Sequence, residues 1–241
     1  MMRAFAYGGS MRFFLSVWLF VAGVVCAAPS APAFPPDAVR LHAQAAEALF
    51  AGRPGEAVPL LDEAVRLFEQ RFAGEKRQVF AAKGNPEALL YVLEAANAQK
   101  EAVVVDGRWA ELFYLRAYAH NELGDLAAGK RDLDALLRLS PANALALNER
   151  GFYFNRKKDW QAAAADFGKA ADVCKLMEDP QERQSVCAAA ARGLAFTLTE
   201  RGRWQDAEAI YQRLLQENPQ DGRARHELEY IRQQRAKHPA L

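Results

Sequence analysis

Between residues 110 and 221 the apolar positions repeat at a fixed spacing. Gly124-Asp125-Leu126 and Lys158-Asp159-Trp160 stand 34 residues apart, as do Ala117 and Gly151, Leu133 and Phe167, and Leu136 and Ala170. A shift of 44 carries Trp160 to Trp204, Ala163 to Ala207 and Phe167 to Tyr211, so a third copy is displaced by a ten-residue insertion. A shift of 72 back from the Gly124 copy brings Ala45, Gly52 and Leu61 into line and sets Ala57 against Gly129. Each copy reads as two helices. Ala117, Gly151 and Ala195 are small where the paired helices must approach, and Gly124 and Gly202 suit the left-handed residue that ends a first helix. Pro141 and Pro219 stop the second helix, and Leu133, Phe167 and Tyr211 fill the space between pairs. A single pair cannot bury its apolar side, so the units must stack.

The unit resembles the tetratricopeptide repeat, whose period is 34 residues. Residues 110–143 carry the pattern through Phe113, Ala117, Gly124, Leu126, Leu133, Leu136 and Pro141. Residues 144–177 carry it through Leu147, Gly151, Phe154, Trp160, Ala163, Phe167 and Ala170. Residues 188–221 carry it through Leu194, Ala195, Gly202, Trp204, Ala207, Tyr211 and Pro219, and a weaker copy occupies 38–71. The resemblance implies an all-α fold, a right-handed superhelical solenoid of antiparallel helix pairs. Three positions depart from the pattern. Lys158 stands where glycine is usual, so its turn is expected to be less tight or slightly strained; Gly129 replaces an alanine at some cost in helix propensity; and His120 takes an aromatic position as a packed inter-helix histidine.

Residues 72–109 do not fit the unit and read as a degenerate helical hairpin. Asn85-Pro86 is a helix start. A helix is expected from Pro86 to about Val103 with Leu89, Leu90, Leu93 and Ala96 on its packed side, and Val103-Val104-Val105 as its end rather than a strand. Over 221–237 a stripe of Ala224, Leu228 and Ile231 with an otherwise charged face predicts a C-terminal capping helix. The domain is thus expected over 37–237, with about nine helices.

Ahead of it, residues 11–28 combine the basic start Met11-Arg12, an apolar run over 13–25 and the small residues Ala27-Ala28, the pattern of a cleaved signal peptide. The run is too short to span a bilayer comfortably. Residues 29–36 are a Pro-rich tether. The mature chain is accordingly expected in the periplasm or secreted, without a membrane span.

Composition narrows the function. There are 48 alanines but only two threonines, two isoleucines and five serines, which excludes a sandwich or barrel and leaves little for hydroxyl chemistry. Arg outnumbers Lys 22 to 9, which with the alanine excess points to a GC-rich bacterial source. The net charge is +1; removing residues 1–28 takes Arg3 and Arg12 and no acid, giving −1. Such a balance argues against nucleic acid as ligand. His42, His120, His226 and His238 show no metal-ligand spacing, no glycine-rich phosphate loop occurs in the domain, and the acids read as solvated helix faces. No catalytic residue, cofactor site or metal site is expected.

What remains is a binding surface. In a solenoid of this class the concave groove is lined by the first helix of each pair. The stripe one residue off the packing stripe gives Tyr114 and Tyr118 in one unit, Asn148, Phe152, Asn155 and Arg156 in the next, and Arg192 and Phe196 in the last. Tyr118, Phe152 and Phe196 are equivalent positions and form an expected aromatic ladder for a protein or peptide partner. Tyr118 and Phe152 stand where a carboxylate-gripping groove of this family would need asparagine or a small residue. The alternative is a structural component of an envelope or secretion assembly, held through its convex face or termini. Cys26 would leave with the signal, so Cys174 and Cys187 are expected to form a disulfide at the base of the inserted loop.

Overall fold

The computed structural model describes residues 34–237. The expected signal peptide over 1–28 and most of the 29–36 tether lie outside the described residues. The chain runs α1 (Pro36–Phe50), α2 (Pro54–Phe72), β1 (Gln78–Ala82), α3 (Asn85–Asn97), β2 (Ala102–Asp106), α4 (Arg108–Glu122), α5 (Leu126–Leu139), α6 (Ala144–Arg156), α7 (Trp160–Val173), α8 (Pro180–Glu200), α9 (Trp204–Glu217) and α10 (Gly222–Lys237). Helices pair as α1/α2, α4/α5, α6/α7 and α8/α9, each pair packs on the next, and α10 closes the stack against α9. The fold is an all-α superhelical solenoid. The described residues hold ten α-helices rather than about nine. Pro36, expected in the tether, is instead the first residue of α1, a position where its missing N–H is no loss. Phe34 is already buried, with its ring edge-on to Trp109 at 4.6 Å.

All four pairs turn in the same way. Gly52, Gly124 and Gly202 take φ of +70°, +83° and +72°, and Lys158 takes +58° at the equivalent place. The N–H after each turn residue reaches back across the helix end: Arg53 to the Ala48 carbonyl, Asp125 to His120, Asp159 to Phe154 and Arg203 to Leu198, at 2.8–3.0 Å. These bonds satisfy carbonyls that a helix terminus leaves without partners. Lys158 is held left-handed by the Asp159 N–H bond, the same bond that closes the glycine turns, against a steric cost of about 1–2 kcal/mol for an L-residue. K158G should therefore stabilise the chain by about 0.5–1 kcal/mol, after the extra entropy of glycine in the unfolded state is subtracted. Urea unfolding followed by circular dichroism should show a higher midpoint at unchanged slope; a lower midpoint would refute the account. Gly129, in contrast, is not a simple propensity loss. A Cβ there would press on Asn121 Oδ1 and fall 3.1 Å from the Ala117 carbonyl, so the close approach of α4 and α5 favours glycine unless the Asn121 side chain turns aside.

The expected helical hairpin over 72–109 is not formed. Residues 78–106 are a β-α-β unit, with β1 and β2 parallel in the register Gln78↔Ala102 to Ala82↔Asp106. Parallel strands need a crossover, and α3 supplies it. The sheet buries both faces: Ala81 and Val105 join the core around Trp109 and Phe68, while Phe80 stacks on Tyr91 of α3 at 5.0 Å. Val103-Val104-Val105 is therefore a strand and not a helix end. The helix stops at Asn97, Gln99 takes φ +54°, and the chain reverses into β2. The packed side of α3 also differs from expectation. Tyr91, Ala95 and Glu87 face inward, whereas Leu89, Val92 and Leu93 are 61, 48 and 51% exposed. The Tyr91 hydroxyl, 3.1 Å from Ser140 Oγ and accepting from the Ala142 N–H at 3.1 Å, ties α3 to the α5–α6 connection.

The two departures from the period meet. Lys83, just after β1, lies 3.9 Å from Glu182 in the first turn of α8, within the segment that carries the insertion. That segment is closed by a disulfide between Cys174 and Cys187, whose Cα atoms are 5.4 Å apart, in a cluster with Ala144 and Val186. Closing a loop of this length contributes about 3 kcal/mol in the chain-entropy picture. The expected cap is present, with Ala224, Leu228 and Ile231 buried against α9.

Candidate binding groove and the charge ladder behind it

The first helices α4, α6 and α8 present Tyr118, Phe152 and Phe196, which are 46, 43 and 38% exposed. The inner edges of Phe152 and Phe196 are already packed. Phe152 stands edge-on to the buried Phe167 at 5.0 Å, and Phe196 lies 6.4 Å from Trp160 at the start of α7. These two rings are held at one edge and open in front, the state an anchor residue needs to meet a partner without further ordering.

Phe152, Asn155, Arg156, Arg192 and Phe196 come together in one cleft of about 410 Å³ between α6, α8 and α10. Tyr211 of α9 forms its floor, and α10 adds Arg223 and Glu227. Those last two were not among the expected groove residues, because the charged face of the cap read as plain solvated surface. Asn155 Oδ1 lies 2.9 Å from the Thr197 hydroxyl, which is 2.7 Å from the Gly193 carbonyl, so α6 and α8 are pinned together beneath the cleft. Arg192 donates to Asp221 at 2.8 Å. Burial raises the Asp221 carboxyl, but its hydrogen bonds from the Ala224 N–H and Arg192 outweigh that and hold it below the usual carboxylate range. Asp221 also caps α10 through the Arg223 and Ala224 N–H groups, so one carboxylate sets both the cap helix and Arg192.

Three expected groove residues lie elsewhere. Asn148 is only 4% exposed; its Nδ2 donates to the Val186 carbonyl at 3.2 Å, which makes it a packing residue between α6 and α8. Tyr114 and Tyr118 line a separate shallow depression with Asn121 and Glu149. Tyr114 is half-buried, and burial, with Glu149 adding repulsion, pushes its phenol up to about 12.

Behind the groove runs an ion-pair ladder. Arg116 forks onto Asp132 at 2.6 and 3.0 Å and reaches Asp62 of α2 at 2.8 Å. Arg150 forks onto Asp166 at 2.7 and 2.8 Å and reaches Asp134 of α5 at 2.9 Å. Each arginine thus clamps its own pair through one aspartate and the preceding second helix through another. Asp132 and Asp166 are 5 and 6% exposed, so these acids are not solvated helix faces. The signal was in the chain: Arg116/Arg150 and Asp132/Asp166 share the 34-residue spacing, and Asp62/Asp134 share the 72-residue one. His120 sits beside this ladder, its Nε2 3.8 Å from Asp132.

Among the described residues no group of three His, Cys, Asp or Glu side chains is placed to hold a metal, and no helix is long and apolar enough to cross a membrane.

The tetratricopeptide repeat family matches residues 114–175 and 178–222. No curated protein matches the chain. Among solved structures, MamA 41-end from Desulfovibrio magneticus RS-1 is 16% identical with a TM-score of 0.58, over 86% of this chain and 90% of that one. A MamA RS-1 double mutant is 14% identical with a TM-score of 0.59, over 86% and 89%. A Podosopora anserina putative kinesin light chain with nearly identical TPR-like repeats is 15% identical with a TM-score of 0.54, over 86% and 90%. At these identities the likeness is one of fold. Repeats of this family are generally non-catalytic protein–protein interaction modules. Over residues 114–175 and 178–222 the chain matches the tetratricopeptide repeat family, and helix pairing and turn geometry agree with that repeat fold.

Proposed function

We propose that the chain is an exported interaction module of the bacterial envelope that binds a protein or peptide partner in the groove formed by α4, α6 and α8. The observation that carries this reading is the cleft of about 410 Å³, where Phe152 and Phe196 stand half-exposed among arginines. Interfaces draw most of their energy from such aromatic and arginine anchors in partly enclosed pockets. Export is supported by the basic and apolar pattern of residues 11–28 and by the Cys174–Cys187 disulfide, which belongs to an oxidising compartment.

A cross-linking pull-down from the fractionated native envelope tests both parts. The wild-type chain should be recovered from the envelope fraction with a discrete partner, and the triple variant Y118A/F152A/R156A should lose that partner while keeping its helical circular dichroism. Retention of the partner by the folded triple variant would overturn groove binding in favour of contacts through the convex face or termini. Recovery of the native chain from the cytosol with residues 13–25 intact would overturn export.

A further inference from the structure

Charge is distributed unevenly around the cleft. Arg192 is neutralised by Asp221, whereas Arg156 of α6 and Arg223 of α10 have no acidic side chain within ion-pair distance among the described residues. Arg156 also leads the exposed run Arg156-Lys157-Lys158. Against these cations the lining offers one acid, Glu227, which lies beside Tyr211 and helps raise its phenol. Two arginines of the first helices, Arg116 of α4 and Arg150 of α6, are by contrast engaged in the ladder. Two guanidiniums without an acidic partner therefore line this pocket together with the rings of Phe152, Phe196 and Tyr211.

We propose that this cleft selects an acidic peptide segment bearing one large apolar side chain, which seats between Phe152 and Phe196 while flanking carboxylates meet Arg156 and Arg223. The inference rests on the groove reading and names the chemistry of its occupant. The volume suits one bulky side chain with the adjoining backbone and lies in the range of ordinary ligand pockets. Guanidinium groups pair carboxylates through two parallel hydrogen bonds, so they add direction as well as attraction. Glu227 disfavours a carboxylate placed too deep and so keeps the acids at the rim.

Fluorescence polarisation on the full, disulfide-bonded chain tests it with three labelled short peptides. One carries Phe flanked by Asp and Glu, the second replaces those acids by Lys, and the third replaces the Phe by Ala. The acidic Phe peptide should bind at least about tenfold more tightly than either control, a difference of about 1.4 kcal/mol. Its affinity should fall as salt is raised. R156E and R223E should each remove that preference and shift it toward the Lys peptide, and F196A should weaken the Phe peptide without altering the charge preference. E227Q should strengthen acidic binding. Equal binding of acidic and Lys peptides, or indifference of the acidic peptide to R156E and R223E, would overturn the proposal. If that occurred while the envelope partner still depended on Tyr118 and Phe152, the groove reading would stand and only its acidic selectivity would fall.

Discussion

Replacing Gly193 by alanine should destabilise the chain by about 3 kcal/mol, at the upper end of what one added methyl costs in a packed core. The Phe167 ring is fully buried and lies between two glycines, Gly151 on α6 and Gly193 on α8. A Cβ at 193 would fall 2.3–2.6 Å from the ring, and one at 151 would fall 2.9–3.0 Å from it. The ring cannot retreat from one helix without striking the other, so the helices must separate. G151A should cost less, because its overlap is shallower. F167A alone should cost about 3–5 kcal/mol through the cavity it leaves. In the F167A background, however, G193A should be neutral or stabilising, since its methyl then enters the vacated space. A double-mutant cycle by urea unfolding should give a coupling of about 2–3 kcal/mol. Additive costs would show that Gly193 matters for its backbone and not for the ring. Because Phe152 rests edge-on against Phe167, G193A should also weaken any ligand of the cleft more than its stability loss alone implies.

Gly151 and Phe167 were legible in the sequence and Gly193 was not, and the difference has a physical cause. In a stack of like pairs, each interface imposes the same size constraint, so Ala117, Gly151 and Ala195 stay small and Leu133, Phe167 and Tyr211 stay large at fixed spacing. The β-α-β unit was not legible because it occurs once and has no copy to align with. Its first strand, Gln78-Val79-Phe80-Ala81-Ala82, carries one β-branched residue, and its partner lies beyond an intervening helix. Of the expected stripe Leu90 does pack toward Phe80 and Tyr91, but Leu89, Leu93 and Ala96 misled for a related reason: burial on α3 is decided by where the sheet lies, and the sheet faces Tyr91 and Ala95. At the groove, the equivalence of Tyr118, Phe152 and Phe196 could be read from spacing, but Asn148 turns inward to Val186 and Arg223 arrives from the cap helix. Neither follows from the position of a residue within its own repeat.

The charge ladder leads to the second large effect. R150A should destabilise the chain by about 3 kcal/mol, since removing the cation of a buried pair leaves its carboxylates uncompensated. Asp166 is 6% exposed and loses both hydrogen bonds of the fork, and Asp134 loses its bond across the junction between α5 and α6. R150K should recover only part of this, because one ammonium cannot fork onto Asp166 and reach Asp134 together. R150A/D166A should be more stable than R150A, as the stranded carboxylate is then gone. The pH dependence follows with a definite sign. Burial raises the Asp134 carboxyl, but its bonds from Lys130 and Arg150 outweigh that and hold it below its ordinary value. A lowered carboxylate stabilises the fold above its unfolded pKa of about 3.9 and loses that contribution as pH falls through the folded value. The gap between wild type and R150A should therefore be full at pH 7 and narrow below about pH 4. Because Arg150 joins neighbouring pairs, its loss should also weaken their cooperation, and the urea transition of R150A should broaden as α6–α10 unfold ahead of the pairs before them. A single sharp transition for R150A at the wild-type midpoint and slope would show that the ladder contributes nothing beyond the apolar stack.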